Sequence, residues 1–346
     1  MIQRFTSKIF HGSLVMLGVV VIVFFLFQGF GDPARLILGQ RADAGTLSNI
    51  RKDLFLDQPK WKQFVYYLND VSPVSIYSSA ELTDKKIHYL GVGRNTKLVL
   101  KFPYLRRSYQ TRKEVWSILM EALPGTILLA FLAMFIATAA GMALGILAAI
   151  KKDTWMDTTA IFTSVLGISA PSFFMSIVIA YIFGFVLHQY TGLQMTGSLF
   201  DTDPFTGRQW QIKNAILPAI TLGIRPMAII AQLTRGSMLD ILNQDFIRTA
   251  YAKGLSQRQV IWRHTLRNAM NPVITAITGW FAELLAGAFF VEYIFGWKGI
   301  GKVTVDALAK LDFPVVMGSV LVTAFFFICI NMLADWLYRV VDPRVI

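Results

Sequence analysis

Long apolar segments alternate with polar ones along the whole 346-residue chain. A transmembrane helix needs about 20 consecutive, mostly apolar residues. Six segments reach that length, and they predict transmembrane helices over residues 9–30, 123–150, 158–187, 216–239, 272–295 and 314–338. The predicted fold class is therefore an all-α polytopic membrane protein with six transmembrane helices.

Two polar segments are too long to be plain connections between these helices. One follows the first helix, and the other, residues 240–270, joins the fourth helix to the fifth. The predicted organisation is a first transmembrane helix in residues 1–30, an extracytoplasmic segment in 31–116, a core of five helices in 117–338 and a cytoplasmic tail in 339–346.

The extracytoplasmic segment contains patterns of its own. Residues 46–54 and 59–69 predict helices, the second with Pro59 at its first position, where the missing N–H costs nothing. Apolar and polar residues alternate over 97–102, and residues 91–95 can supply a turn, which together predict a small β-hairpin. We expect a small folded cap outside the membrane.

The positions of Lys and Arg predict the orientation, because short cytoplasmic loops carry the excess of positive charge. With the N-terminus inside, the cytoplasmic pieces hold twelve Lys and Arg residues and the two short outer loops hold five. The longer outer segment is left out of this comparison because long loops translocate regardless of charge. Both ends of the chain are therefore expected on the cytoplasmic side.

Composition excludes several classes of protein. The chain is 55% hydrophobic and 16% charged, whereas soluble domains have about 25% charged residues, so an ordinary soluble enzyme is excluded. The net charge of +12 fits positive cytoplasmic loops, and no nucleic-acid partner is expected. The single cysteine, Cys329, excludes a disulfide framework and a Cys-based metal cluster. No cofactor and no metal site is predicted.

One stretch imitates a nucleotide site. Residues 296–303 have the glycine and lysine spacing of a P-loop, but Val303 stands where the magnesium-binding Ser or Thr belongs. We interpret the stretch as a tight outer turn followed by a short surface helix over 303–311. The four histidines are far apart in sequence and no hydrolase motif is present. An intramembrane enzyme or a scaffold stays as the alternative from a different class.

Small residues and a proline give two of the predicted helices special features. In the second helix Ala133, Ala137, Gly141 and Gly145 recur at four-residue spacing, which lets another backbone approach closely. In the third helix Pro171 predicts a kink, since proline removes a backbone hydrogen bond.

The inner segment 240–270 has clear helix signals. Residues 240–253 predict a helix that ends at Gly254, a residue suited to a left-handed position. Ser256 and Gln259 form a capping-box pattern that opens a second helix. Small side chains at the bend, surrounded by positive charge, suit docking into a groove on a partner protein. A basic helix resting on lipid headgroups is the alternative.

These residues resemble a known family. Residues 245–269 (DFIRTAYAKGLSQRQVIWRHTLRNA) are similar to the coupling loop of type I ABC importer permeases, in the branch that handles dipeptides, oligopeptides and nickel. Further similar motifs lie at 31–34 (GDPA), 105–110 (LRRSYQ), 168–174 (ISAPSFF) and 287–301 (GAFFVEYIFGWKGIG). The motifs cover nearly the whole chain in order, as in the first-permease, B-type subunit.

The resemblance implies a subunit without its own nucleotide site, in the bacterial cytoplasmic membrane and surrounded by lipids. Its expected partners are a second homologous permease, two cytoplasmic ABC ATPases that hydrolyse ATP, and an extracytoplasmic substrate-binding protein. Peptides are the expected substrates, with nickel chelates, glutathione or another small solute as alternatives. The role of docking on an ATPase falls on Asp245, Phe246, Ile247, Arg248, Thr249, Ala250, Ala252, Lys253, Gly254 and Leu255.

Two charged residues depart from the family pattern within the predicted helices. Arg225 and Glu283 each lie about 15 Å from the inner end of their helix, at about 1.5 Å per residue. An isolated charge at that depth costs at least about 2.5 kcal/mol. We hypothesise that the two pair across adjacent helices and line the translocation path, with Pro171 and Ser172 as further candidates. A purely structural pair or a side chain snorkelling to the interface is the alternative.

One departure lies in the extracytoplasmic segment. Arg106 occupies a position where the family is expected to have glycine.

Overall fold

The computed structural model of the protein describes residues 2–28, 51, 56–78, 89–92, 96–203, 207–286 and 288–341. The helix predicted over 46–54 lies outside the described residues except for Arg51, and residues 93–95 of the predicted turn at 91–95 also lie outside them. The described chain divides into two compact units, Met1–Ala122 with Val303–Phe325, and Leu123–Lys302 with Phe326–Ile346.

Among the described residues of the first part of the chain, the helices and strands with defined bounds are two helices and three strands. They are α1 (Ile2–Gln28), α2 (Lys60–Val71), β1 (Val74–Ser78), β2 (Tyr89–Val92) and β3 (Thr96–Lys101). Helix α2 confirms the helix predicted to begin at Pro59. The strands form an antiparallel sheet in the order β1-β3-β2, so the predicted hairpin is confirmed and gains a strand, β1, that was not predicted.

The longer, later part of the chain is mostly helical. Its helices are α3 (Val115–Ile150), α4 (Trp155–Ser169), α5 (Ser172–Ile179, continued by a π-helix over Ala180–Val186), α6 (His188–Thr191), α7 (Ile216–Leu242), α8 (Asp245–Ala252), α9 (Leu266–Ala286), α10 (Phe289–Ile294), α11 (Ile300–Ala309) and α12 (Phe313–Val341). An antiparallel pair of strands, β4 (Phe200–Asp203) and β5 (Gly207–Trp210), was not predicted.

A buried carboxylate organises the region around α2 and the three-stranded sheet. Asp70, at the end of α2, accepts a hydrogen bond from the Tyr77 hydroxyl at 2.8 Å and pairs with Arg106 Nε at 3.1 Å. The backbone of Arg106 is left-handed, with φ +64°, which explains why glycine is the expected residue there. The ion pair with Asp70 offsets that strain. Burial raises the pKa of the nearby Tyr67 hydroxyl, so the phenol stays neutral.

Within the described residues, four helical segments are long and apolar enough to cross a membrane. They are Phe10–Phe27, Val115–Ile150, Ile212–Leu242 and Phe313–Ala334, and they confirm the first, second, fourth and sixth predicted helices. The third predicted helix corresponds to α4 and to α5 with its π-helical continuation, which together are long and apolar enough to cross but meet at a bend of 108°. The bend follows from Pro171, which keeps the preceding Ala170 extended, at ψ 129°.

The fifth predicted helix differs from expectation. The continuous span over 272–295 is wrong, since α9 begins at Leu266, accommodates Pro272, and ends at Ala286 before α10 begins at Phe289. Helix α9 is not among the segments long and apolar enough to cross alone. Polar residues on its exposed face, such as Thr275 and Glu283, lower its mean hydropathy. The six-helix count therefore stays a prediction for this segment.

Glycines bring α3 and α7 into close contact, as the four-residue spacing predicted. A Cβ atom added at Gly141 would lie 2.6 Å from the carbonyl oxygen of Met227, and one at Gly145 would lie 2.5 Å from that of Ala231. Ala133 and Ala137, on the same face, are fully buried. No side chain larger than hydrogen fits at the two glycines without separating the helices.

The opposite face of α3 is exposed and apolar. Phe135, Ala139, Ala143 and Leu147 recur at four-residue spacing and are all exposed, with Phe135 at 73%. We call these four residues the apolar stripe. A helix face of this kind suits lipid or another apolar surface, not water.

Candidate functional site

The predicted docking segment contains a short helix set off from its neighbours. Helix α7 ends at Leu242 and α8 begins at Asp245, so the single helix predicted over 240–253 is wrong. The break lies at Gln244, whose backbone is extended, with ψ 150°. Gly254 follows α8 with φ +79°, as its position in the sequence predicted.

The second predicted helix begins at the expected position, and it continues without a break into α9. Ser256 N donates to Gln259 Oε1 at 3.0 Å, and the reciprocal capping box is complete. From Gln257 the chain stays helical through a π-helix over Val260–Thr265 and into α9. Residues 245–286 are therefore one short helix followed directly by the start of a long one.

The predicted docking residues fall on two faces of α8 and on the turn that follows it. Ile247 is 1% exposed and packs with Ala250 and Val260, with Leu242 and the half-buried Leu255 beside them. The remaining predicted docking residues are exposed: Asp245, Phe246, Arg248, Thr249, Ala252, Lys253 and Gly254. The inner face thus joins α8 to the end of α7 and to the helical segment leading into α9.

The exposed face of α8 combines apolar side chains with charged side chains that lie in solvent. Phe246 is 43% exposed and Tyr251, which the prediction omitted, is 44% exposed. Arg248 Nη1 lies 3.5 Å from Asp245 Oδ1, but both side chains are largely in solvent, where such a pair contributes at most about 1 kcal/mol. Aromatic anchors ringed by weakly held charges are typical of a protein-docking surface.

An ion pair that sequence reasoning missed fixes the inner part of α7. Arg235 Nη2 donates to Asp157 Oδ2 at 2.7 Å, and Arg235 Nε donates to Asp157 Oδ1. Asp157 is buried at the start of α4. This bidentate geometry ties α4 to α7 seven residues before α7 ends at Leu242. The only sequence signals were an arginine inside an apolar segment and an acidic residue in the first turn of a helix.

The four candidates for the translocation path do not form one cluster. Arg225 and Glu283 are both exposed, and no ion pair within 4.0 Å joins them in the part of the chain that is described. The guanidinium carbon of Arg225 instead lies 5.9 Å from the centre of the Trp280 ring on α9. The predicted pair is therefore not formed in this structure, because the indole face offers the cation an alternative partner. Pro171 and Ser172 lie at the bend between α4 and α5.

The glycine-rich stretch that imitates a P-loop encloses a carboxylate of the same chain. Glu292 is fully buried, accepts a hydrogen bond from Thr126 Oγ1 at 2.8 Å and another from Lys302 N at 3.2 Å. A Cβ atom at Gly299 would lie 2.4 Å from its Oε2. Backbone N–H groups that would bind a phosphate in a P-loop bind the Glu292 carboxylate here. Gly299 is needed because a side chain there would collide with this carboxylate.

The helical architecture matches solved transporters. A chain of the MetNI methionine ABC transporter, in an inward-facing crystal form, superimposes with a TM-score of 0.51, covering 66% of this chain and 97% of that chain at 16% identity. A second crystal form of MetNI gives the same TM-score. At this identity the likeness shows the fold alone, and with the apolar helices it defines a polytopic membrane protein with an ABC importer permease fold.

Two family profiles together match all of the chain except residues 131–140. The profile of the binding-protein-dependent transport system inner membrane component matches residues 141–346, and the profile of its N-terminal region matches residues 1–130. The chain belongs to the family of binding-protein-dependent transport system inner membrane components.

Curated relatives match nearly the whole length. The dipeptide transport system permease protein DppB of Alkalihalophilus pseudofirmus is 33% identical over 96% of this chain and 95% of its own length. DppB of Escherichia coli strain K12 is 34% identical over 95% of this chain and 94% of its own length. The glutathione transport system permease protein GsiC of Salmonella choleraesuis is 35% identical over 99% of this chain and 98% of its own length.

These matches confirm the predicted resemblance to type I ABC importer permeases of the dipeptide branch. The chain is a permease subunit of an ABC importer in the inner membrane, a transport component and not itself an enzyme. Permeases of this kind work with ATPase and binding-protein partners.

Proposed function

We propose that the chain forms half of a translocation pathway for peptides. In this proposal it pairs with a second homologous permease, receives its substrate from an extracytoplasmic binding protein, and docks through α8 on one of two cytoplasmic ATPases. Relatives named as dipeptide permeases support the substrate class. Relatives named as glutathione permeases are as similar, so glutathione, itself a modified tripeptide, is the second candidate.

The observation that carries the docking proposal is the two-faced packing of α8. Its inner face, Ile247 and Ala250, contacts the last turn of α7 and the segment that becomes α9. Its outer face presents Phe246 and Tyr251. A displacement of α8 by an ATPase would therefore pass to two long helices at once, as a rigid-body movement of packed elements.

Lipid contact is the competing role for the same face. Helix α8 has eight residues, about 12 Å at 1.5 Å per residue, and its outer face carries the acidic Asp245 beside Arg248. Interfacial helices instead concentrate positive charge on the polar face. The mixed charge favours a protein partner.

A cysteine crosslink tests the docking directly. Cys329 is the only cysteine, so Cys329→Ser gives a background in which Ala252→Cys can be crosslinked within the complete complex. The matched control is Ala139→Cys on α3. We expect a crosslink to an ATPase subunit from position 252 and none from position 139. No crosslink from position 252 under any nucleotide condition would contradict the docking role.

Uptake by proteoliposomes tests the substrate. The complete complex should import labelled alanyl-alanine with ATP and its own binding protein. Import of glutathione without import of the dipeptide would favour the second candidate.

A further inference from the structure

The exposed face of α9 is polar, unlike the apolar stripe of α3. Asn271, Thr275, Gly279 and Glu283 follow one another at four-residue spacing and are all exposed. Residues so spaced lie on one face of a helix. We call these four residues the polar stripe. In contact with lipid such a face would be costly, so it is expected to face water or a polar partner.

Arg225 reaches the same region from α7. Its guanidinium carbon lies 5.9 Å from the centre of the Trp280 ring, within the range of a cation–π contact. Trp280 and Glu283 are three residues apart on α9, which is about 4.5 Å along the helix axis at 1.5 Å per residue. A positive charge therefore lies against the Trp280 indole, and a negative charge lies within about one helical turn of that indole along α9.

The two charges do not neutralise each other. Among the described residues neither Arg225 nor Glu283 takes part in an ion pair, and both side chains are exposed. Elsewhere in the same unit, Arg235 and Asp157 do form a bidentate pair. Unpaired opposite charges at this depth are stable only if water or a ligand of complementary charge reaches them.

We propose that Arg225, Trp280 and Glu283 form a binding site for a solute that carries both a free carboxylate and a free ammonium group. The carboxylate binds the Arg225 guanidinium through charge-assisted hydrogen bonds, the ammonium binds the Glu283 carboxylate, and the indole contacts the apolar part between them. The site rests on the proposed function, because short peptides and glutathione both have these two groups. It adds a selective contact within the permease itself.

The test uses the complete complex in proteoliposomes, with binding protein and labelled alanyl-alanine. Uptake and ATP hydrolysis are measured in the same samples for Glu283→Gln, Arg225→Gln, the conservative Glu283→Asp and Arg225→Lys, and a control, Glu121→Gln, at an exposed glutamate of α3. Loss of one charge-assisted hydrogen bond to the solute corresponds to an about tenfold loss of affinity for it. We expect about tenfold lower uptake per ATP hydrolysed in the two Gln variants, partial recovery in the conservative ones, and no change in the control.

The outcomes separate this site from the proposed function. If the wild-type complex imports neither the dipeptide nor glutathione, the proposed function fails and the site falls with it. If the wild type imports its solute and both Gln variants keep the wild-type ratio of uptake to hydrolysis, the site alone is overturned. Loss of assembly with the partner permease in the Gln and conservative variants alike would also overturn it, because the charges would then be interface contacts.

Discussion

Helices α3 and α9 each expose a stripe of four residues at the same spacing, and the stripes have opposite chemistry. The apolar stripe of α3 runs from Phe135 to Leu147, and the polar stripe of α9 runs from Asn271 to Glu283. Exposure in a single chain does not separate lipid from water. The chemistry of the exposed side chains does, and it assigns α3 to an apolar environment and α9 to a polar one.

The glycines of the two helices repeat this contrast. Gly141 and Gly145 of α3 lie on its buried face, where an added Cβ atom meets backbone of α7. Gly279 of α9 lies within the polar stripe, where an added Cβ atom meets nothing within 4 Å. One set of glycines permits helix packing, and the other leaves open space beside the helix.

The largest expected effect comes from placing a charge in each stripe. Phe135→Asp should lower the amount of membrane-inserted protein, because a carboxylate facing lipid costs about 2.5 to 3.5 kcal/mol, roughly a hundredfold. Thr275→Asp, in the polar stripe, should insert at nearly the wild-type level. A fluorescent fusion measured in isolated membranes compares the two, and equal losses would remove the distinction between the stripes.

Enlarging the glycines should give the next largest effect. Gly145→Val forces apart α3 and α7, since Ala231 O lies 2.5 Å from the new Cβ position, and overpacking of this kind costs about 1 to 3 kcal/mol. Gly279→Ala, at an open position inside α9, should leave stability unchanged or raise it by up to about 1 kcal/mol. Thermal unfolding of the detergent-purified complex measures both, and a lower Tm for Gly279→Ala than for Gly145→Val would contradict the packing described.

A smaller difference in stability is expected between two variants in which a carboxylate becomes an amide. One carboxylate is in an ion pair, and the other is in none within the described parts of the chain. Asp157→Asn weakens the bidentate contact with Arg235 and should cost about 1 to 3 kcal/mol. Glu283→Gln removes no ion pair among the described residues and should leave the Tm unchanged. Equal destabilisation would mean that Glu283 has a structural partner in the assembled complex.

Local signals in the sequence were enough for much of the fold. The apolar lengths gave four of the long helices, and Gly254 and the Ser256–Gln259 capping box marked the end of α8 and the start of the next helical segment. These features depend on residues within a few positions of one another. The extended backbone at Gln244 has no comparable signal, so the break between α7 and α8 was missed.

Contacts between distant residues could not be predicted from one sequence. Arg235 and Asp157 are 78 positions apart, and Thr126 and Glu292 are 166 positions apart. The depth of Arg225 and Glu283 followed from their positions in the sequence, but the predicted ion pair between them is not formed. Whether Arg225 contacts a carboxylate or the Trp280 ring depends on how α7 packs on α9. Side-chain partners across helices follow from packing, which residue spacing does not determine.

Thiol labelling tests the central claim that the polar stripe lines a water-filled pathway while the apolar stripe faces lipid. In the Cys329→Ser background, Thr275→Cys and Phe135→Cys are reacted, in assembled complex in membranes, with a charged methanethiosulfonate reagent that does not enter lipid. We expect position 275 to react and position 135 to stay unmodified, although Phe135 is 73% exposed in the single chain. Equal reaction at both positions, or reaction at 135 alone, would contradict the assignment of α9 to the translocation pathway.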